Sequence, residues 1–109
     1  MAIRKMKNKK KGNIHLGIAW YESAEAFNNM KSVVSDKEIW EDTYDEWLDI
    51  ATPKLSEFKK VGINPIRVNL IAANFIEWCK TENRKPDAAG RAAYISLQLE
   101  NGYSENNPE

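Results

Sequence analysis

His15 and Cys79 are the only histidine and the only cysteine in this 109-residue chain. Brought together, they could form a thiolate and imidazole pair of the kind that attacks acyl carbon. Alone, the imidazole could carry a proton near neutral pH. Each chemistry asks for a particular setting. A reactive thiol needs exposure and a neighbouring positive charge, whereas Cys79 recurs with Phe75 and Ile76 on the apolar side of a helical pattern, which reads as core packing. His15 falls on the polar side of an alternating segment, beside Arg67 or Asn69 of a second such segment, and reads as a surface residue. No catalytic residue is assigned.

Carboxylates crowd one stretch: Asp36, Glu38, Glu41, Asp42, Asp45, Glu46 and Asp49. Hard cations take such oxygens, but a calcium loop sets them on a tight glycine-containing turn and a bundle site turns them inward beside histidines. Here they alternate with Trp40, Tyr44 and Trp47 at helical spacing and fall on the opposite side, which reads as a solvated acidic face or a docking surface for a basic partner. No metal site is assigned. Glycine-rich phosphate cradles and the nucleophile-elbow motif are absent from the sequence, so no cofactor is called for.

Ligand chemistry is best sought where strands end and helices begin, because the first turn of a helix offers unpaired backbone donors. That criterion selects Trp20, Tyr21, Ser23 and Asn74 as candidate ligand-binding residues. Arg91 and Tyr94, three apart and hence on one side of a helix, form a second candidate pair. Trp40, Tyr44 and Trp47 have no interleaved lysine or arginine and read as core or interface rather than platforms for stacked bases.

Charge is unevenly spread. Residues 1–11 contain Arg4, Lys5, Lys7, Lys9, Lys10 and Lys11 and no acid, while the whole chain balances 16 basic against 16 acidic residues, leaving 10 against 16 in residues 12–109. A basic tail thus precedes an acidic body. These six residues are the candidate nucleic-acid contacts, through salt-dependent attraction to phosphate; the body would oppose it.

The elements that must position these residues follow from periodicity. Ile14, Leu16, Ile18 and Trp20 alternate with His15, Gly17 and Ala19, giving a strand over 14–20. Ser23 caps a short helix that reaches Val34. Ser35 with Glu38 matches a capping box, so a second helix is expected to open there, to kink or restart at Thr52-Pro53, and to stop at Gly62. Ile66, Val68 and Leu70 mark a second strand with one apolar side. A third helix carries Phe75, Ile76 and Cys79 to Asn83-Arg84-Lys85, and Pro86-Asp87 opens a fourth that runs to Asn101-Gly102. The alanines of the fourth permit close packing.

The order β-α-α-β-α-α predicts an α+β (or small α/β) fold: a two-layer sandwich of four to five helices on a two-stranded sheet, with helices on one side. The long helical crossover makes that sheet parallel. The organisation expected is a flexible basic tail at 1–12, one globular domain at 13–100 and a flexible tail at 101–109. A two-stranded sheet leaves each strand an unpaired edge, which invites a homodimer or a protein partner. The lone cysteine excludes an internal disulfide and suits a reducing, cytoplasmic setting; no export signal, membrane span or membrane partner is read.

Ile18-Ala19-Trp20-Tyr21, the Trp40, Tyr44 and Trp47-Leu48 pattern, Trp78-Cys79 and Gly90-Arg91-Ala92-Ala93-Tyr94 together resemble a group of small bacterial proteins of unknown function. The resemblance spans most of residues 14–98 and implies a bacterial, cytoplasmic, single-domain protein without implying any chemistry. The function expected is a small non-catalytic protein-binding module. The alternatives are a nucleic-acid accessory protein using the basic tail and, third, a small-ligand or enzyme site at the strand ends.

Overall fold

The computed structural model describes residues 14–103; the expected basic tail, with its six candidate nucleic-acid contacts, lies outside the described residues. Strand β1 (Ile14–Trp20) leads into helix α1 (Ala24–Val33). A single 3-10 turn (Lys37–Ile39) precedes helix α2 (Tyr44–Lys60), and strand β2 (Ile63–Asn69) is followed by helices α3 (Ala72–Thr81) and α4 (Ala88–Glu100). The two strands pair in parallel, with Ile14 opposite Ile63 and Trp20 opposite Asn69. The chain is a small, mostly helical α+β fold.

Local chemistry explains most boundaries. Ser23 Oγ accepts from Ala26 N at 3.1 Å at the start of α1. Asp87 Oδ1 accepts from Gly90 N at 2.9 Å at the start of α4. Each thereby satisfies a backbone donor that the helix itself leaves unpaired.

Three expectations are corrected. The Ser35 and Glu38 pair does not open the long helix. The Ser35 amide is bonded instead to the carbonyl of Pro86 at 3.0 Å, and the chain runs on to Thr43, whose Oγ1 accepts from Glu46 N at 3.1 Å. Thr43 and Glu46 have the same spacing and carry the cap. Nor does α2 restart at Thr52: it continues through Pro53 to Lys60. Pro53 is exposed, as is Asp49 one turn earlier, so water can serve the carbonyl that loses its donor. Finally, the packed body does not end at 100. Tyr103 is partly buried against the core, and its hydroxyl accepts from Asn69 N at 3.0 Å.

The core centres on Phe27, Met30, Val68, Leu70 and Phe75, all at most 1% exposed. Alternation places Gly17 and Ala19 on one side of β1 and Leu16, Ile18 and Trp20 on the other. The Gly17 side, expected to be the open one, is where α4 packs: a β-carbon on Gly17 would lie 2.5 Å from Ile95 Cγ2 and 2.8 Å from Leu99 Cδ1. The missing side chain is what lets the helix approach so closely. On the other side, the ring of Trp20 meets that of Trp47 from α2, centroids 4.9 Å apart. Trp47 also meets Tyr21, which points to the Gly17 side, so α2 stands over the edge of β1 while α4 covers one side.

Candidate functional site

The ladder determines which backbone groups are spent. Leu70 N donates to Trp20 O at 3.0 Å; in a parallel pair, residues that bond toward the neighbour alternate along each strand. With the observed register, Leu16, Ile18 and Trp20 therefore turn their amides and carbonyls toward β2, while His15, Gly17, Ala19 and Tyr21 turn theirs away. The same alternation points Pro65, Arg67 and Asn69 to the outer edge of β2. That edge is blunted: Pro65 has no amide hydrogen, and the Asn69 amide is taken by Tyr103.

The outer edge of β1 is different. It lies beneath a groove of about 370 Å³ whose floor is Gly17, Ile18 and Ala19 and whose two walls are α2, through Trp47, Ile50, Ala51 and Lys54, and α4, through Ala88, Arg91, Ala92 and Ile95. A contiguous hollow of about 220 Å³ extends it past Ala19 to Tyr21, Ile39, Trp40 and Glu41. Ile39 and Ile50 are 68% and 47% exposed, large apolar surface left in water on the rim of an apolar channel. Tyr44 Oη donates to Tyr21 O at 2.8 Å, which closes the carboxyl end of the edge. Gly17 and Ala19 remain with outward amides and carbonyls that no strand of the sheet pairs.

An ion pair fastens one corner of the groove. Arg91 meets Asp36 through two bonds, Nη1 to Oδ1 at 3.0 Å and Nη2 to Oδ2 at 2.8 Å, and its guanidinium lies 5.2 Å from the centroid of Trp40. Hydrogen bonding from Arg91 pulls the Asp36 carboxyl below its ordinary value, against the opposing effect of burial. Lys31 Nζ donates to Glu41 O at 2.9 Å, tying α1 to the same corner. Burial pushes the Tyr21 phenol well above its ordinary range, so it stays neutral and packs with Phe27, Trp40 and Trp47.

Of the six candidate ligand residues, Tyr21 and Arg91 meet at the hollow that extends the groove; the other four do not join them. Trp20 borders a separate polar hollow of about 440 Å³ at the strand ends, with Glu22, Tyr44, Arg67 and Asn69. Its groups are already engaged with one another: Asn69 Nδ2 donates to Glu22 Oε2 at 2.6 Å, and Arg67 lies 5.6 Å from the Trp20 ring centroid. Tyr21 is buried, Ser23 is an exposed cap, and Asn74 is exposed on the first turn of α3. Arg91 lines the groove, but Tyr94 turns to Phe75 and Trp78; the two part company.

His15 sits beside neither Arg67 nor Asn69, which belong to the other side of the sheet. It faces its register partner Asn64, whose Nδ2 donates to His15 Nδ1 at 3.0 Å on the exposed surface. Cys79 is buried, its sulfur 4.0 Å from Lys85 O, and burial raises its thiol pKa, opposite to what a nucleophile requires. Among the described residues no group of three or more histidine, cysteine or acidic side chains is placed to hold a metal, and no helix is long and apolar enough to cross a membrane. The groove residues Gly17, Ala19, Ile50, Ala88 and Ala92 were signalled in the sequence only by small size or by an isoleucine outside the helical stripe. No family model, curated protein or solved structure matches the chain.

Proposed function

We propose that this protein is a non-catalytic interaction module that accepts an extended stretch of polypeptide along the outer edge of β1. One observation carries the reading: the outward amides and carbonyls of Gly17 and Ala19 form the floor of an apolar groove between two helices. Strand addition takes its affinity from such main-chain groups and its specificity from pockets for alternate side chains. The buried single thiol suits a reducing compartment, and we place the module in the cytoplasm.

Proline offers a selective test. The Ala19 amide points away from β2, so Ala19→Pro leaves the ladder intact, just as Pro65 is tolerated on the other outer edge. Random peptides displayed against the full chain should include extended binders that the Ala19→Pro chain loses while its circular dichroism is unchanged. Equal recovery of the same peptides by both chains would sink the reading. A concentration-dependent dimer in light scattering, abolished by the same substitution, would identify a second copy of the chain as the strand that adds.

A further inference from the structure

Building on that reading, we infer that the occupant is a single extended segment of another polypeptide, antiparallel to β1. It carries branched aliphatic side chains on the α4 side, and on the α2 side a basic residue followed, an even number of positions later, by an acidic one. Access to the edge decides between occupants. Paired strands lie about 4.8 Å apart, and here the edge to be paired is the floor between two helices. A second copy would bring its own α2 and α4 to the same place, and the walls would meet before the edges. A lone strand brings no helices of its own, and the part of the edge it meets first is Ala19, since Gly17 is buried beneath α4.

The walls then select side chains. Alternation sends successive residues of an added strand to opposite sides. On the α4 side Ala88 and Ala92 stand beside Arg91 and Ile95; the two alanines leave the groove open volume that β-branched aliphatic groups would fill and remove from water. On the α2 side Lys54 borders the channel, and Glu41, in the turn that leads into α2, borders both the channel and the hollow that extends it. Their order along β1 follows from the direction of α2. Tyr44, at its start, bonds to Tyr21 at the carboxyl end of β1; its last residue, Lys60, is followed closely by Ile63, which pairs with Ile14 at the amino end of β1. Glu41 therefore stands toward the carboxyl end of β1 and Lys54 toward the amino end.

An antiparallel strand meets Glu41 with its earlier residues and Lys54 with its later ones. Complementary charge thus puts the basic residue first and the acidic residue second, both on the α2 side and hence an even number of positions apart. Antiparallel pairing is also slightly the more stable arrangement per residue. Arg91 adds no competing charge, because its guanidinium is already bound to Asp36.

The test uses the full chain, labelled with nitrogen-15, and three synthetic peptides: Ser-Lys-Val-Thr-Ile-Glu-Ser, its charge-reversed form Ser-Glu-Val-Thr-Ile-Lys-Ser, and a form of the first methylated on the amide nitrogens of its Val and Ile, the residues that exchange hydrogen bonds with Gly17 and Ala19 in an antiparallel pair. The first should shift and protect the Gly17 and Ala19 amides more than those of Leu16 and Ile18. It should bind roughly tenfold more tightly than the reversed form, as two rim charge pairs turned from attractive to repulsive allow. The methylated peptide should give no such protection, and in the Ala19→Pro chain the Gly17 amide should stay unprotected. Equal binding of the first two peptides would overturn the occupant's chemistry while leaving the edge as a docking site. Silence of Gly17 and Ala19 toward every peptide would overturn both. Amides protected before any peptide is added would also overturn the proposal: protection that fades on dilution assigns the edge to a second copy, and protection that persists assigns it to the chain itself.

Discussion

Arg91 shows how one residue can answer to a pattern in the sequence and still do something else. Three positions from Tyr94, it looks like half of a polar and aromatic pair, yet its partners are Asp36 and Trp40, more than fifty residues earlier. A planar, two-pronged guanidinium fits a carboxylate with two parallel bonds and lies against an aromatic ring at the same time. Both side chains of the ion pair are mostly buried, at 12% and 16% exposed, so Arg91→Gln should cost about 2 kcal/mol at pH 7, in the range of bonds to charged groups. The pH dependence has a definite sign. Because Arg91 depresses the Asp36 pKa in the folded chain, the unfolded chain binds that proton more readily. The pair's contribution is then complete above the ordinary carboxylate value of about 3.9 and fades as pH falls through the lowered one. Urea midpoints of the two chains should accordingly differ most near neutrality and approach each other only as pH falls below the ordinary carboxylate value. A gap that did not narrow at all as pH falls through the acid range would mean that Arg91 acts through Trp40 and packing alone.

At the level of elements, the sequence was legible wherever a local pattern had no competitor. Alternation over roughly 14–20 located β1, Ser23 acts as the expected cap, and α4 opens at Pro86-Asp87 as expected, with Asp87 as its cap. It failed where two signals of equal quality stood eight residues apart. Ser35 with Glu38 and Thr43 with Glu46 both satisfy the capping spacing, and only tertiary structure chooses: the Ser35 amide is claimed by Pro86, and Asp36 by Arg91. That choice is measurable. Thr43→Ala should lower stability by about 1 kcal/mol, the usual cost of removing a cap. Ser35→Ala should stay within about 0.5 kcal/mol, as for an exposed side chain outside any special feature. Chemical denaturation of the two variants separates the cases, and the reverse ranking would place the start of α2 at Ser35 after all. Pro53 misled for a related reason: a missing donor stops a helix only when the orphaned carbonyl has no alternative, and here the flanking surface is open to water.

For the whole molecule, the free strand edge was foreseeable from two strands and nothing more, but the groove above it was not. Its walls come from Trp47 to Lys54 and from Ala88 to Ile95, and no local pattern says that those two stretches face one another across β1. The same distance dependence bears on cooperativity. A two-stranded sheet is marginal by itself, so this one stands only through the helices packed against it. The aromatic residues fall into two groups, one around Trp20, Trp40 and Trp47 with Tyr21 and Phe27, the other around Trp78 with Phe75 and Tyr94. Both groups join one continuous core through Val68, Leu70 and Met30. If that core is a single cooperative unit, neither half holds its structure when the other opens. Urea unfolding of the intact chain, followed by total tryptophan emission and by helical circular dichroism, should then give one midpoint. A Trp78→Phe chain, whose emission comes only from the first group, should show the same coincidence between its two signals. Two separate midpoints in either chain would mean that α3 and α4 open independently, and the α4 wall of the groove would then be a movable one.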